Sequence, residues 1–474
     1  MSPLHAKTNC NLRLGLAALS TLAWLAGGGL VFASADPPAA AADSSALPPR
    51  QNFSDSTTNA SPAARPQTWN FHAQNTDIYQ YHPAFPAAYS GPNSLSNGQE
   101  FKDTVSLDAL VGVRLWRGAE AHVDGLMWQG YGLSKTLGVE GFPSGEAFRV
   151  GTRLPNATFA RVFLRQTIGL GGDEEAVADD ELHLGGQQDV RRLTLTVGKI
   201  SAKDIFDNNA YANDPRTQFM NWSLMANAAW DYAADSLGYI PGFAAELNQP
   251  DWAVRYGFFQ VPRVANGLAL DPSYLRAWQM VVEFERRYKL RGHPGVVRLL
   301  SYLTQAHMGS YAATLDNPSL GMDITRTRAY RHKFGYGLNL EQELTRDLGV
   351  FSRLGWSDGR TEGWAFNDVD RAATLGLSLK GTGWHRPDDT FGLAGILDGA
   401  SAVHAEFLAA GGTGILAGDG RLSYGLEKIL ETYYDCQVWQ TLHFTLDYQF
   451  ISDPAFNRDR GPVSVLAARL HWEF

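Results

Sequence analysis

The sequence predicts an all-β chain whose strands close into a transmembrane antiparallel β-barrel of about 16 strands, with long extracellular loops partly folded into the lumen. Three observations carry this. Segments of about ten residues alternate apolar and polar from Trp69 to the end, no later segment has the roughly 18 uninterrupted apolar residues of a spanning helix, and the chain stops on an aromatic, Phe474.

In chain order, Lys7 and Arg13 precede an apolar run from Leu14 to Phe32 that ends in small residues at Ala33-Ser34-Ala35. This is the layout of a secretory signal peptide over 1–35, and Gly27-Gly28-Gly29 argues against a membrane anchor. Residues 36–66 are rich in Ala, Pro, Ser, Asn and Thr with little to bury, and read as a disordered leader. The barrel domain then runs over 67–474.

The alternation is clearest over Thr104–Trp116, where Val105, Leu107, Ala109, Val111, Val113 and Leu115 share a face opposite Ser106, Asp108 and Arg114. On Ala160–Gln166, Arg161 and Arg165 point the same way, and an Arg facing the hydrocarbon midplane costs about 2–4 kcal/mol. Both therefore face the lumen, as do Arg114, Arg192, Arg255 and Arg353, opposite Asp108, Asp124, Glu283 and Glu285. Such charges either select solutes or pair along the wall and stiffen it. Trp278, Met280, Val282 and Phe284 oppose Gln279, Glu283 and Glu285, and Phe334, Tyr336, Leu338 and Leu340 oppose Lys333, Asn339 and Glu341. Thr441–Phe450 and the final stretch from Leu466 repeat the pattern.

Strands are expected near 67–80, 103–116, 119–130, 158–169, 191–200, 238–248, 251–260, 276–288, 295–306, 331–343, 348–357, 371–380, 389–398, 422–434, 440–450 and 462–474. The count is even, as hairpins that start and end on one side require, and leaves a water-filled channel. Connections are tight at Arg117-Gly118 and Asn248-Gln249-Pro250 and long at 131–157, 201–237 and 307–330. Alternation is poor at 219–237 and 399–434.

Composition agrees: 48 Gly and 12% aromatics are high for a chain whose mean hydropathy is slightly negative, as alternation would produce. Formal charge is −9, or −11 once Lys7 and Arg13 leave with the signal, which argues against a nucleic-acid partner. Cys10 lies in the signal, so Cys436 stands alone and no internal disulfide can form.

Between Lys199 and Arg216, carboxylates, amides and aromatics crowd into one loop, including Asp204, Asp207, Asn208 and Asn209. Sugars need this mixture: hydrogen-bonding side chains for hydroxyls and aromatic faces for the C–H side of the ring. A self-capped solvated loop would have the same composition. A loop this long is expected to fold inward and narrow the barrel. Gly355-Trp356-Ser357-Asp358-Gly359 matches G-x-S-x-G, but no helix follows it, which a nucleophile elbow requires. The chain is not expected to be an enzyme, and no metal or cofactor motif is present.

From about Trp69 onward the chain resembles the OprB-type carbohydrate-selective porins of Gram-negative outer membranes. The stretches that carry this are Trp69-Asn70-Phe71-His72-Ala73-Gln74, Ser90-Gly91-Pro92-Asn93-Ser94-Leu95, Gly141-Phe142-Pro143-Ser144-Gly145-Glu146, Leu164-Arg165-Gln166-Thr167, Gly198-Lys199 with Asp204 to Asn209, Phe219-Met220-Asn221-Trp222 and Asp453-Pro454-Ala455-Phe456-Asn457. The resemblance implies a sixteen-stranded barrel, passive diffusion of small saccharides and an eyelet of arginines and acids with inward loops. A general or anion-preferring pore, a barrel enzyme using Ser357 and a soluble secreted β-protein are the alternatives. Other expected partners are outer-membrane lipid and the barrel-assembly machinery, reached through Phe474. A monomer and a homotrimer both remain open.

Overall fold

The computed structural model describes residues 66–147 and 151–474; the expected signal peptide and all but the last residue of the leader lie outside the described residues. Eighteen strands form: β1 (Trp69–His82), β2 (Glu100–Trp116), β3 (Ala119–Gly130), β4 (Thr152–Gly169), β5 (Glu174–Val177), β6 (Gly186–Asp189), β7 (Arg192–Ile200), β8 (Ile240–Asn248), β9 (Trp252–Gln260), β10 (Trp278–Leu290), β11 (His293–Met308), β12 (Ala329–Glu343), β13 (Leu348–Ser357), β14 (Arg371–Gly381), β15 (Arg386–Gly399), β16 (Glu427–Trp439), β17 (Leu442–Ser452) and β18 (Val463–Glu473). Sixteen of them make one closed antiparallel barrel, while β5 and β6 pair only with each other. Closure satisfies every strand edge, the condition for crossing a bilayer without helices. No helix among the described residues is long and apolar enough to cross.

Polarity is inverted relative to a soluble protein. On β2, Leu107, Val111, Val113 and Leu115 are exposed outward, while Ser106 and Asp108 are buried inside. The same holds on β10, with Val282 and Phe284 outside and Gln279, Glu283 and Glu285 inside, and on β18, with Leu466, Leu470, Trp472 and Phe474 outside and Arg469 and His471 inside. Exposed aromatics gather at both rims, Trp69, Trp116, Trp439 and Phe474 at one and Tyr336 and Trp356 toward the other, as interfacial girdles do.

One rim carries the tight connections 117–118, 249–251, 291–292, 344–347, 382–385 and 440–441. The other carries the long ones, including 201–239, 309–328, 358–370 and 400–426. An exception on the tight rim is 170–191, which contains the β5–β6 hairpin. The expected strand 422–434 lies about five residues too early, because Leu422–Leu426 still belong to the loop, where Arg458 N donates to Ser423 O at 2.9 Å. Poor alternation over 219–237 reflects a helical turn, Trp222–Met225, inside an inward loop.

The lumen is not simply water-filled. Long loops pack into it around Phe206, Trp222, Trp230, Tyr232, Phe259 and Tyr302, so the barrel encloses a core of its own.

Candidate functional site

The lumen wall presents carboxylates, amides and guanidinium groups, and several of them serve as sockets for loop 201–239. Glu283 Oε2 accepts from Asp207 N at 2.7 Å, Glu341 Oε2 from Ala210 N at 2.7 Å, and Glu431 Oε1 from Met220 N at 2.6 Å. Arg353, fully buried, donates to Leu224 O at 2.7 Å and Ala212 O at 2.8 Å and pairs with Asp207 at 3.2 Å. Asn209 Nδ2 donates to Asn339 Oδ1 at 2.8 Å. Each socket satisfies a loop amide or carbonyl that would otherwise be buried without a partner.

Inside the barrel, loop 201–239 lines a cavity of about 270 Å³ together with parts of 132–147 and Phe366. Its lining includes the rings of Phe142, Trp222, Tyr232 and Phe366. Trp222 stacks on Phe142 with centroids 5.0 Å apart and meets Phe366 at 4.6 Å, and Tyr232 lies 5.1 Å from Phe366. In the same lining Arg161 forms a bidentate pair with Asp204, at 2.9 and 2.8 Å, reaches Asp124 at 2.7 Å, and lies 5.0 Å over the Tyr239 ring. Arg216 bridges Glu146 at 3.1 Å and Asp108 at 3.3 Å. Lys203 donates to Asp207 O at 2.8 Å and Asn213 Oδ1 at 2.9 Å, and burial holds its ammonium down to about 8 against the pull of Asp207.

Of the sequence-derived candidates, Arg161, Asp204 and Asn208 line this cavity, and Asp108 stands behind Arg216. Arg165 does not reach it, because its guanidinium donates to Leu182 O at 2.6 Å. Arg114 sits near the tight-turn rim, donating to Gln67 O at 2.8 Å and pairing with Glu120 at 3.2 Å. Glu283 and Glu285 pair with Arg255 at 2.8 and 2.9 Å in a ladder that continues to Arg298. Arg353, Asp207 and Asn209 anchor the loop.

Sequence reasoning missed Arg216, Glu146, Trp222, Tyr232, Tyr239 and Phe366. Glu146 and Trp222 lie in stretches that carry the family resemblance, which was their available signal, and Arg216 ends the polar run that begins at Lys199; the others sit in aperiodic loops.

Ser357 is no nucleophile by its geometry. Its hydroxyl donates to Asp370 Oδ1 at 3.1 Å, and His404 Nδ1 bonds the other oxygen of that carboxylate at 2.9 Å, so a carboxylate stands where a triad needs the imidazole. The arrangement ties the base of loop 358–370 to the helix Ala402–Ala409.

A family model described as carbohydrate-selective porin, OprB family, matches residues 92–474. Porin AaxA from Chlamydia abortus is 23% identical over 286 residues, covering 59% of this chain and 54% of that one, so the chain spans about half the length of this curated relative. The high-pH structure of Pseudomonas putida OprB aligns with a TM-score of 0.66 at 16% identity, covering 86% of this chain and 94% of that one. Its low-pH structure aligns at 0.46 and 13% identity, covering 86% and 93%. A sixteen-stranded barrel narrowed by inward loops, matched over most of its length by one family model, places the chain in the carbohydrate-selective porin family of the OprB type.

Proposed function

We propose that this porin lets small, mostly neutral saccharides diffuse passively across the outer membrane. The observation that carries this is a single cavity lined both by aromatic rings, from Phe142, Trp222, Tyr232 and Phe366, and by the paired charges of Arg161, Asp204, Arg216 and Glu146. A pyranose has the complementary anatomy, with an apolar C–H face and a rim of hydroxyls that both donate and accept. Because each arginine is already neutralised by two carboxylates, the wall offers hydrogen bonds with little net attraction for an anion, which disfavours the anion-preferring reading. Weak contacts of this kind permit entry and also release, as conduction requires.

Export would use 1–35 as a signal peptide, with the mature chain starting near Asp36. Because β1 begins at the tight-turn rim, 36–66 would lie on the periplasmic side. Assembly would engage the barrel-assembly machinery through the C-terminal strand.

Liposome swelling tests the reading. Proteoliposomes should admit a neutral hexose faster than a zwitterionic amino acid of matched size, and Phe366→Ala, which removes the exposed part of the aromatic platform, should narrow that difference several-fold. Equal rates for hexose and amino acid in the unmodified protein would refute sugar selectivity.

A further inference from the structure

We infer that Glu181, carried in on the connection 170–191 from the tight-turn rim, is a specificity-determining residue of the constriction, presenting a carboxyl group that a passing sugar hydroxyl or amine can engage. The inference rests on the sugar-diffusion reading and refines its substrate class.

Every other connection on that rim has two to four residues, whereas this one has twenty-two. Its tip is tied down on the inner face of the barrel rather than left loose. Asp179 accepts from Gln67 Nε2 at 3.0 Å and Asn70 Nδ2 at 2.8 Å and meets His72 Nε2 at 3.0 Å. Asn70 Nδ2 also donates to Asp180 O and His183 O, at 3.0 and 3.1 Å. Arg165 holds Leu182 O, and Gln67 exchanges two hydrogen bonds with Gly185, N to O at 3.0 Å and Oε1 from N at 2.7 Å. Asp180 pairs with His183 at 2.9 Å.

Among the tip's ionisable side chains, Asp179, Asp180 and His183 are thus used for fastening. Glu181 is instead turned with Leu182 into the cavity. The other acids lining it are engaged: Glu146 by Arg216, Asp204 by Arg161, and Asp214 by the Arg216 amide at 2.9 Å. Glu181 has no such hydrogen bond or ion pair among the described residues. A carboxylate placed in a narrow passage without a protein donor has its acceptor sites available to solute.

Facing Glu181 are Arg216 and Asp214 from the inward loop, Arg161 from β4 and Glu473 from β18, with Asp180 and His183 beside it on its own connection. Burial pushes its carboxyl up to about 7, with Arg216 and Arg161 opposing and Asp214 and Glu473 adding to the rise. The sign follows: below about pH 7 the group is a neutral donor and acceptor, and above it is an anion that favours cations. The cation-to-anion permeability ratio should therefore climb as pH rises through about 7, and Glu181→Gln should flatten that step.

The test compares the unmodified porin, Glu181→Gln and Glu181→Asp, using swelling rates for glucose, glucosamine and glucuronate and the reversal potential in a salt gradient. Glu181 has no partner to lose, so the variants should assemble as heat-modifiable barrels. Glu181→Gln should lower the glucosamine-to-glucuronate ratio several-fold, leave glucose within a factor of about two and flatten the pH step, while Glu181→Asp keeps the pH step. An assembled Glu181→Gln variant with unchanged sugar ratio and reversal potential would overturn the inference while leaving sugar diffusion standing. A reversal-potential shift in a porin that excluded glucose would keep Glu181 at the constriction and sink the sugar reading instead.

Discussion

Arg161 and Arg165 lie four residues apart on β4 and face the same lumen, yet their partners give them different roles. Arg161 balances Asp124 and Asp204 at the cavity, whereas Arg165 holds the connection 170–191 through Leu182 O. Replacing Arg161 by Gln leaves two carboxylates uncompensated in a confined passage, so the reversal potential should move strongly toward cation preference. Arg165→Gln should move it little and instead increase proteolytic cleavage within 170–191. Equal shifts in reversal potential from both variants would contradict the assignment. Period-two alternation told which way each side chain points, because that depends only on the local strand. It could not tell what each one touches, because Asp204 and Leu182 arrive on connections whose paths have no period.

Apart from the start of β4 and the placing of β16, the strands follow from alternation to within about three residues, and the loops that make the site do not. Their course is set by distant sockets: Asp207 meets Arg353 on β13, and Ala210 meets Glu341 on β12. The hairpin β5–β6 escaped notice for a related reason, since Glu174–Val177 and Gly186–Asp189 are too short and too polar to show a buried face. Arg353 tests how the inward loop is held. Arg353→Met takes the guanidinium from the buried Asp207 carboxylate, which keeps Asn339, the Asn227 amide and Lys203, and removes donors from three loop carbonyls; breaking a buried pair from one side typically costs about 3–5 kcal/mol. The cost falls on docking of the loop, since the strand hydrogen bonds stay intact. Single-channel conductance should rise and become noisy while the heat-modifiable barrel persists, and adding Asp207→Asn should recover part of the closed behaviour. Unchanged conductance in Arg353→Met would show that the loop is held elsewhere.

For the whole molecule the decisive event is closure, because a sheet left open would expose unpaired backbone to hydrocarbon. The even strand count and the aromatic C-terminus were legible because both repeat or sit at a fixed place. The closing register was not, because it joins the two ends of the barrel. In the structure β18 pairs with β1 from Gln74↔Glu473 to Tyr81↔Leu466, and the ladder ends one residue further, where Ala73 and Phe474 exchange two backbone hydrogen bonds of 3.0 Å. The Phe474 ring meets Phe71 of β1 edge-on at 5.8 Å and Trp472 at 4.9 Å, clasping the seam on its lipid side. Deleting Phe474 removes both hydrogen bonds and the aromatic contacts, a loss of about 2–4 kcal/mol from net hydrogen-bond and aromatic-pair values. That loss falls at the one seam formed last by sequence separation. Deleting a residue of 36–66 removes none of the strand pairs among the described residues. The Phe474 deletion should therefore cut the yield of heat-modifiable barrel in the outer membrane several-fold relative to the leader deletion, read by the gel shift of unheated samples. Equal yields from the two deletions would mean that closure does not depend on this last residue, and the seam would then be held by the β1–β18 ladder alone.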